Sequence, residues 1–227
     1  MRNDDASEAK RRAGESAADL VDAGMVVGLG TGSTAATAIR ALGERVDGGL
    51  DVTGIPTSYQ SRQLAREAGI PLATLADVER VDIAIDGADQ FSGRDLVKGG
   101  GAAHAREKYV DAAAERFVVV ADPSKRATVL GHPVPVEVLP DAEPVVTDTL
   151  DGLGGEPNLR EAARKDGPVV TDNGNLVLDC DFGEIADPGA LAIDLDAIPG
   201  VVEHGLFVSM ADEIHVGSES GVEVLSP

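Results

Sequence analysis

Short apolar runs alternate with helical patterns through the first half of the chain. The first run, at 25–29, is followed by an Ala-rich segment at 35–42 whose apolar residues recur at helical spacing. The same order of run and helix recurs over 50–68, and residues 81–89 and 117–122 form two more runs of strand length. A buried parallel strand is a near-continuous apolar run, and strands that alternate with helices build parallel sheets. This half of the chain therefore predicts an α/β sheet.

The pattern changes beyond residue 130. The segments 169–172 and 175–179 have strand-like patterns, and the Asn-Gly pair between them is typical of a tight antiparallel hairpin. An alternating segment at 134–138 and a helical pattern over 191–198 accompany them. We therefore expect a small α+β unit in this part of the chain.

The expected domain division follows from strand-like segments near the end of the chain. Strand-like segments at 213–216 and 222–225 are expected to rejoin the first sheet. We therefore expect a main domain formed by residues 1–129 and 206–227, with an insert domain at 130–205. At 227 residues and 43% hydrophobic content, the chain is long and apolar enough to bury a core.

The charge balance limits the classes of partner. The chain has 40 Asp and Glu against 19 Lys and Arg, a net charge of −21. Such a field repels nucleic acids and anionic membranes, so we expect neither as a partner. The acids are dispersed and aromatic residues make up only 3% of the chain, a composition similar to that of proteins from salt-loving organisms. The alternative is an ordinary acidic cytosolic protein.

Cysteine content and hydropathy indicate a soluble, cytoplasmic protein. Cys180 is the single cysteine, which excludes an intrachain disulfide. No run reaches the roughly 20 apolar residues that would span a bilayer, and the N-terminal segment is charged rather than apolar. The four histidines are scattered and no cysteine cluster exists, so the sequence predicts no metal site.

Three consecutive glycines, at 99–101, follow Lys98. Glycines let a backbone approach a ligand closely, and the Ala-rich run behind them is expected to continue as a helix whose first amides can bind an anion. Glu107 is expected in the second turn of this helix, three residues after His104, where its carboxylate would face the bound group. The alternative is a flexible turn followed by a solvated helix, with Glu107 as surface charge.

A hydroxyl-rich turn, at 31–34, follows the first strand, and its hydroxyls are natural N-caps for the next helix. The glycines around it partly imitate a dinucleotide-binding fingerprint. The third glycine is missing, however, and the next strand ends without an acid to hold a ribose. The turn could instead bind one phosphate through its amides and through Ser33 or Thr34. A helix expected over 6–23 would present Lys10.

Asp86 and Asp89 end the apolar run at 81–89. The carboxyl ends of strands open onto the ligand crevice in open α/β sheets, and a carboxylate pair there suits proton transfer. The alternative is a capped turn, which Asp-Gly commonly marks. Lys125 follows the run at 117–122 in the same way. Four strand ends are thus expected to bring polar groups to one side of one sheet: 31–34, Asp86 with Asp89, 98–101 with Glu107, and Lys125.

The combination of these motifs resembles ribose-5-phosphate isomerase of the A type. The motifs keep that family's order and spacing, and further matches at 133–138, 170–175 and 198–207 extend the resemblance over nearly the whole chain. The matching motifs are Gly30–Ala35, Asp86–Asp89, Lys98–Ala102, Arg106–Lys108 and Asp122–Lys125. The fold it implies is α/β, a Rossmann-like open sheet with helices on both faces plus a small α+β second domain. Ala103-His104 departs from the family's usual pair of small apolar residues.

The resemblance implies interconversion of ribose 5-phosphate and ribulose 5-phosphate through an enediolate, in the non-oxidative pentose phosphate pathway and without cofactor or metal. Glu107 would move the proton between C2 and C1, and Asp86 would assist ring opening. Asp89 would orient the sugar hydroxyls, and Lys98 would stabilise the developing charge. A homodimer or homotetramer is expected. Substrate binding, chiefly at the phosphate, is implied for Thr31, Gly32, Ser33, Thr34, Gly87, Ala88, Gly99, Gly100, Gly101, Lys125 and, more weakly, Lys10.

Two other functions stay open at this point. A CoA transferase of related architecture would use Glu107 as a nucleophile toward acyl-CoA, although Lys98 and the acid pair argue against it. A sugar-phosphate sensor module would need an attached pair of DNA-binding helices, which the sequence does not show, and its charge would be unsuited to DNA. An assay of pentose-phosphate isomerisation separates all three functions.

Overall fold

The structure is a computed structural model that describes residues 2–227, with the side chains of residues 2–6 outside the description. Within this range six α-helices and thirteen β-strands form. The helices are α1 (Arg2–Ala18), α2 (Ser33–Asp47), α3 (Tyr59–Glu67), α4 (His104–Ala113), α5 (Glu143–Gly152) and α6 (Pro188–Asp196). The strands are β1 (Val26–Leu29), β2 (Thr53–Pro56), β3 (Ile83–Gly87), β4 (Gln90–Ser92), β5 (Asp95–Val97), β6 (Phe117–Ala121), β7 (Val134–Val138), β8 (Glu156–Leu159), β9 (Leu176–Asp181), β10 (Val201–His204), β11 (Leu206–Phe207), β12 (Glu213–Ser218) and β13 (Gly221–Leu225).

The chain divides into two compact units. The first comprises the chain up to Ala88 together with Arg106–Arg126 and Met210–Pro227, and the second comprises Asp89–Ala105 and Ala127–Ser209. Each unit has its own sheets and its own apolar core. The expected division into a main domain at 1–129 with 206–227 and an insert domain at 130–205 stays a prediction.

The first unit contains a six-stranded sheet in the order β13-β12-β6-β3-β1-β2. Every neighbouring pair is parallel except β12 and β13, which pair antiparallel. All five residues of β6 are buried, as expected for a parallel strand in a sheet that helices flank. The apolar core of the first unit includes Val27, Leu42, Ile85 and Val118. The predicted α/β sheet and the return of the last strands to it are confirmed.

The N-terminal helix ends earlier than the sequence predicts. Apolar spacing suggested a helix to residue 23, but α1 ends at Ala18. Beyond that residue the backbone tightens: the amide of Leu20 donates to the carbonyl of Ala17 over 3.1 Å, and that of Val21 donates to Ala18 over the same distance. Val21 stays fully buried, so the apolar pattern continues past the end of the helix.

The second unit contains a four-stranded antiparallel sheet, in the order β10-β7-β9-β8, and a three-stranded one, in the order β11-β5-β4. Val136, Leu150, Leu178 and Leu195 are among the residues of its core. Among the helices of the described chain, none is long and apolar enough to cross a membrane.

The predicted hairpin around the Asn-Gly pair is wrong in its pairing. Its turn forms, with the amide of Thr171 donating to the carbonyl of Asn175 over 2.9 Å. Its second strand is β9, but β9 pairs with β7 on one side and β8 on the other. Both edges of β9 are therefore occupied, and the segment at 169–172 forms no strand.

Candidate active site

Three neighbouring parallel strands of the six-stranded sheet end at polar residues. Strand β1 leads to Thr31, β3 ends with Asp86 and Gly87, and β6 leads through a short 3₁₀ turn to Lys125. Because β6, β3 and β1 are adjacent and parallel, their carboxyl ends meet at one edge of the sheet. The expectation that these three strand ends fall together is confirmed.

Asp86 is fully buried at the end of β3. Its Oδ1 accepts hydrogen bonds from the amides of Thr31, over 2.9 Å, and of Gly87, over 2.7 Å. Two backbone donors therefore fix the position of Oδ1. Such a fixed, buried acid is suited to proton transfer rather than to capping an exposed turn.

The hydroxyl of Thr31 lies in a small group of buried hydroxyls. It is 2.9 Å from Oγ1 of Thr57 and donates to Oγ of Ser58 over 2.7 Å. Thr57 and Ser58 are 0% and 5% exposed. Neither residue was among the site residues predicted from the sequence. The signal that could have identified them is the pair of hydroxyls directly after strand β2.

Helix α2 has no side-chain N-cap, which makes the expectation of a hydroxyl cap wrong. Its N-cap residue is Gly32, at a positive φ of 103°, and no side chain bonds to the first amides of the helix. The Thr31 hydroxyl bonds to Thr57 and Ser58 instead. Lys10 donates to Oγ of Ser33 over 3.0 Å, in the first turn of α2. A lysine thus adds positive charge to the positive end of the helix dipole.

Glu107 lies in the first turn of α4, because the helix begins at His104, and not in the second turn as expected. It is 3% exposed, which excludes its interpretation as surface charge. Asp111, four residues later in the same helix, is 2% exposed. Residues at this spacing share a helix face, so α4 carries two buried carboxylates on one side. Asp111 was not among the site residues predicted from the sequence, although its four-residue spacing from Glu107 was a usable signal.

Lys98 follows β5, a strand of the three-stranded antiparallel sheet. The expectation that Lys98 and its glycines end a strand of the parallel sheet is therefore wrong. The short β4–β5 hairpin, with Gln90 opposite Val97, makes an antiparallel pair of this segment. Lys98 is 2% exposed, and its Nζ lies 5.3 Å from the centroid of the Phe207 ring.

The glycines after Lys98 form a tight turn. The carbonyl of Gly99 accepts the amide of Ala102 over 3.0 Å, and the amide of Gly100 donates to Oδ2 of Asp89 over 2.7 Å. Gly99 has a φ of 109°, and a Cβ there would lie 2.8 Å from the ring of His104. A Cβ on Gly100 would lie 2.7 Å from Asp89. Glycine is therefore required at both positions by contacts within the second unit. Gly101 is exposed.

Arg160 also contacts this turn and was missed by the sequence analysis. Its Nη1 donates to the carbonyl of Gly99 over 2.9 Å. It lies about 60 residues along the chain from the turn and belongs to none of the motifs. No local pattern could have identified it.

One group of side chains in the described chain has metal-ligand spacing, and it contains none of the predicted site residues. It consists of Asp196, Glu203 and His204. Nδ1 of His204 accepts the amide of Leu206 over 3.2 Å, so the neutral ring carries its proton on Nε2, which faces Asp196 at 3.2 Å. Neither ring nitrogen then presents a lone pair to an ion, and the group fits a hydrogen-bonded pair better than a metal site.

The chain matches a known protein family. It matches the family model of ribose 5-phosphate isomerase A (phosphoriboisomerase A) over residues 53–221. A ribose-5-phosphate isomerase A of Haloarcula marismortui is 68% identical over 224 residues, covering 99% of this chain and 98% of that relative. Another, of Natronomonas pharaonis, is 70% identical over 215 residues, covering 95% of each.

Solved structures agree with these relatives. A ribose 5-phosphate isomerase A from Methanocaldococcus jannaschii is 46% identical, with a TM-score of 0.94 and coverage of 100% of both chains. A D-ribose-5-phosphate isomerase in complex with phospho-erythronic acid is 42% identical, with a TM-score of 0.94 over 97% of this chain and 98% of that one. The similarity therefore includes the residues of both units.

Proposed function

The chain belongs to the ribose 5-phosphate isomerase A family, and on that premise we propose that it interconverts D-ribose 5-phosphate and D-ribulose 5-phosphate. The observation that carries the proposal is the buried Asp86, fixed by two backbone amides at the carboxyl end of β3. A solved relative binds phospho-erythronic acid, whose carboxylate is planar and negatively charged, as the reacting end of an enediolate is. The family likeness does not favour the CoA transferase or the sensor module.

The reaction moves a carbonyl from C1 to C2 of the open-chain sugar. The carboxylate of Glu107 takes the proton from C2, the C2–H electron pair forms the C1–C2 double bond, and the C1 carbonyl electrons move to O1. Return of the proton to C1, with transfer of the O2 proton to O1, leaves a ketone at C2 and a hydroxyl at C1. Atoms and electrons balance without an external oxidant or reductant.

The remaining polar residues have separate roles in this proposal. Asp86 opens the sugar ring and moves a proton between O1 and O2, for which its fixed orientation is suited. Lys98 stabilises the negative oxygen of the enediolate, and its burial strengthens that attraction because water screens it less. Asp89 orients the sugar hydroxyls while its Oδ2 holds the Gly100 amide.

The substrate phosphate binds at the uncapped N-terminus of α2 in this proposal. The amides of 33 and 34 and the positive end of the helix dipole favour a dianion there, while the amide of Gly32 donates to Oε1 of Gln60 over 3.2 Å. Lys10, which already contacts Ser33, and Lys125 add positive charge. Backbone at Gly87, Ala88 and 99–101 completes the contacts with the substrate.

We also propose a homodimer or homotetramer in the cytoplasm. In this proposal, contact between copies of the chain would cover exposed apolar side chains such as Ile193 and Val145, which are 70% and 63% exposed. Measurement of the solution mass by light scattering tests the oligomeric state. A monomeric mass at micromolar concentration would contradict it.

An isomerisation assay of the purified protein tests the function. Ribose 5-phosphate is supplied without added metal or cofactor, and ribulose 5-phosphate is measured. In D₂O, partial deuterium incorporation at C1 of the product is expected, because a carboxylate base exchanges its proton with solvent. Unphosphorylated ribose is the matched control and should turn over far more slowly. Transfer between acyl-CoA and a carboxylate, without isomerisation, would identify a CoA transferase, and sugar-phosphate binding without turnover would identify a sensor.

A further inference from the structure

We propose that Arg160 and Asp179 form a positioning pair that sets the orientation of the peptide groups in the glycine turn 99–101. The inference rests on the proposed binding role of that turn. Arg160 lies directly after β8 and Asp179 lies in β9, its antiparallel neighbour. Both belong to the second unit, as does the turn.

The guanidinium of Arg160 is held by Asp179. Its Nε donates to Oδ2 over 2.8 Å, and its Nη2 donates to Oδ1 of the same carboxylate. This two-point contact fixes the plane of the guanidinium as well as its position. The side chain of Arg160 is 15% exposed, so the ion pair is partly withdrawn from screening by solvent.

The third nitrogen of the same group reaches the glycine turn. Nη1 of Arg160 donates to the carbonyl of Gly99 over 2.9 Å and approaches the carbonyl of Gly100 at 3.3 Å. On the other side of the Gly99–Gly100 peptide, the amide of Gly100 donates to Asp89 over 2.7 Å. A peptide group is planar, with its carbonyl and amide pointing in opposite directions. The Gly99–Gly100 peptide is therefore held at both ends, by Arg160 and by Asp89.

The Gly100–Gly101 peptide is oriented by a contact at its carbonyl end. The contact of Arg160 with the Gly100 carbonyl directs the amide of Gly101 to the opposite side, away from Arg160. Gly101 is exposed, so this amide is directed from an accessible part of the turn. Glycine peptides rotate more freely than others, and an orienting contact therefore has more effect here than at another residue. Arg160 is in this sense a positioning residue, because it acts through the backbone.

Two backbone hydrogen bonds also fix the position of Arg160 itself. Its amide donates to the carbonyl of Val177 over 2.9 Å, and its carbonyl accepts the amide of Val169 over 2.8 Å. A lysine at this position would keep the charge but could not contact a carboxylate at two points and two carbonyls in one plane. The geometry therefore requires arginine rather than positive charge alone.

The test compares Arg160→Ala, Arg160→Lys and Asp179→Asn with the wild type at constant KCl concentration. We expect each change to raise the KM for ribose 5-phosphate by about 10- to 100-fold, with a smaller effect on kcat, because the amides that contact the substrate lose their orientation. Methylguanidine at millimolar concentration should partly restore KM in Arg160→Ala but not in Arg160→Lys. A role in stability alone would change the thermal midpoint and the active fraction without this rescue.

Two further variants distinguish an error in the positioning role of Arg160 from an error in the binding role of the turn. Arg164→Ala removes an exposed arginine of the same unit and should leave KM unchanged. Gly100→Ala disturbs the turn directly, since its Cβ would meet Asp89. If Gly100→Ala raises KM but Arg160→Ala and Arg160→Lys keep the wild-type value, the positioning role is wrong and the turn keeps its function. If Gly100→Ala itself has wild-type KM and kcat, the binding role of the turn is wrong, and so is the positioning role of Arg160.

Discussion

Gly30 and Asp86 lie so close that no side chain fits between them. A Cβ on Gly30 would stand 2.1 Å from Oδ1 of Asp86 and 2.5 Å from its Cα. The amide after Gly30, that of Thr31, donates to the same Oδ1. The missing side chain at residue 30 is therefore what allows the backbone of the 31–34 turn to hold the Asp86 carboxylate.

Gly30→Ala should consequently impair both catalysis and stability. The added methyl group has to displace Asp86 and its backbone, so we expect kcat to fall about tenfold or more. Overpacking of this kind costs about 1–3 kcal/mol in the free energy of unfolding, which denaturant titration measures. Gly152→Ala is the matched control, because a Cβ there meets nothing within 4 Å. Wild-type kcat in Gly30→Ala would show that the position of Asp86 is not critical.

Glu107→Gln should remove the base and keep its shape. We expect kcat to fall by about 100-fold or more while KM changes little, as loss of a general base implies. Deuterium exchange between the sugar and solvent should fall in parallel. Glu115→Gln removes a carboxylate that is 62% exposed just beyond the same helix and should leave kcat unchanged. Normal turnover in Glu107→Gln would assign the proton transfer to another group, with the buried Asp111 as the next residue to test.

Lys125→Ala should weaken substrate binding more than turnover. Lys125 lies after β6 at the strand ends that carry Asp86 and Thr31, where a point charge attracts the phosphate. We expect KM for ribose 5-phosphate to rise at least about tenfold, with kcat changed less. Lys165→Ala, at an exposed position of the second unit, is the control for a general loss of positive charge. A fall in kcat with unchanged KM would place Lys125 in the chemistry instead.

The sequence predicted the elements that depend on local patterns. The runs before Thr31, Asp86 and Lys125 became neighbouring parallel strands, because near-continuous apolar runs suit a sheet that helices cover. Helix α4 likewise follows from the Ala-rich run after the glycines. Burial of Glu107 on that helix was one of two interpretations, and only packing could decide between them.

Contacts between distant segments could not be predicted in the same way. The Asn-Gly turn formed, but β9 pairs with β7 and β8, which precede the turn and are more distant from β9 in the sequence than the segment at 169–172. Strand β5, which leads into Lys98 and the glycines, joined an antiparallel sheet for the same reason. Arg160 reaches Gly99 from about 60 residues away, and no spacing rule connects two such positions.

Cys180 should be unreactive in the native protein. Burial, with a smaller contribution from the charge of Asp181, raises the pKa of the thiol to about 12. The thiolate is the reactive form, so almost none is present at neutral pH. We expect no reaction with a disulfide reagent at pH 8 in the folded protein, and complete reaction of one thiol per chain in denaturant. Rapid labelling of the native protein would show that β9 opens readily.

The last prediction follows from the net charge of −21. Self-repulsion at this charge destabilises the folded state, and the same field repels a phosphate dianion that approaches the site. The similar proteins from Haloarcula and Natronomonas come from halophilic archaea, in agreement with the composition. At about 1 M salt the Debye length falls to about 3 Å, so both repulsions shrink to contact range while hydrophobic burial is undiminished.

We therefore expect the thermal midpoint and kcat/KM to rise together from 50 mM to about 2 M KCl. A titration of both quantities in KCl is the measurement. Tetramethylammonium chloride at equal concentration is the control, because it screens charge equally and differs in its ion-specific effects. Similar rises in both salts would identify screening as the cause. A protein that is equally stable and active throughout the titration, or best at 50 mM, would show that its acidic surface is not an adaptation to salt.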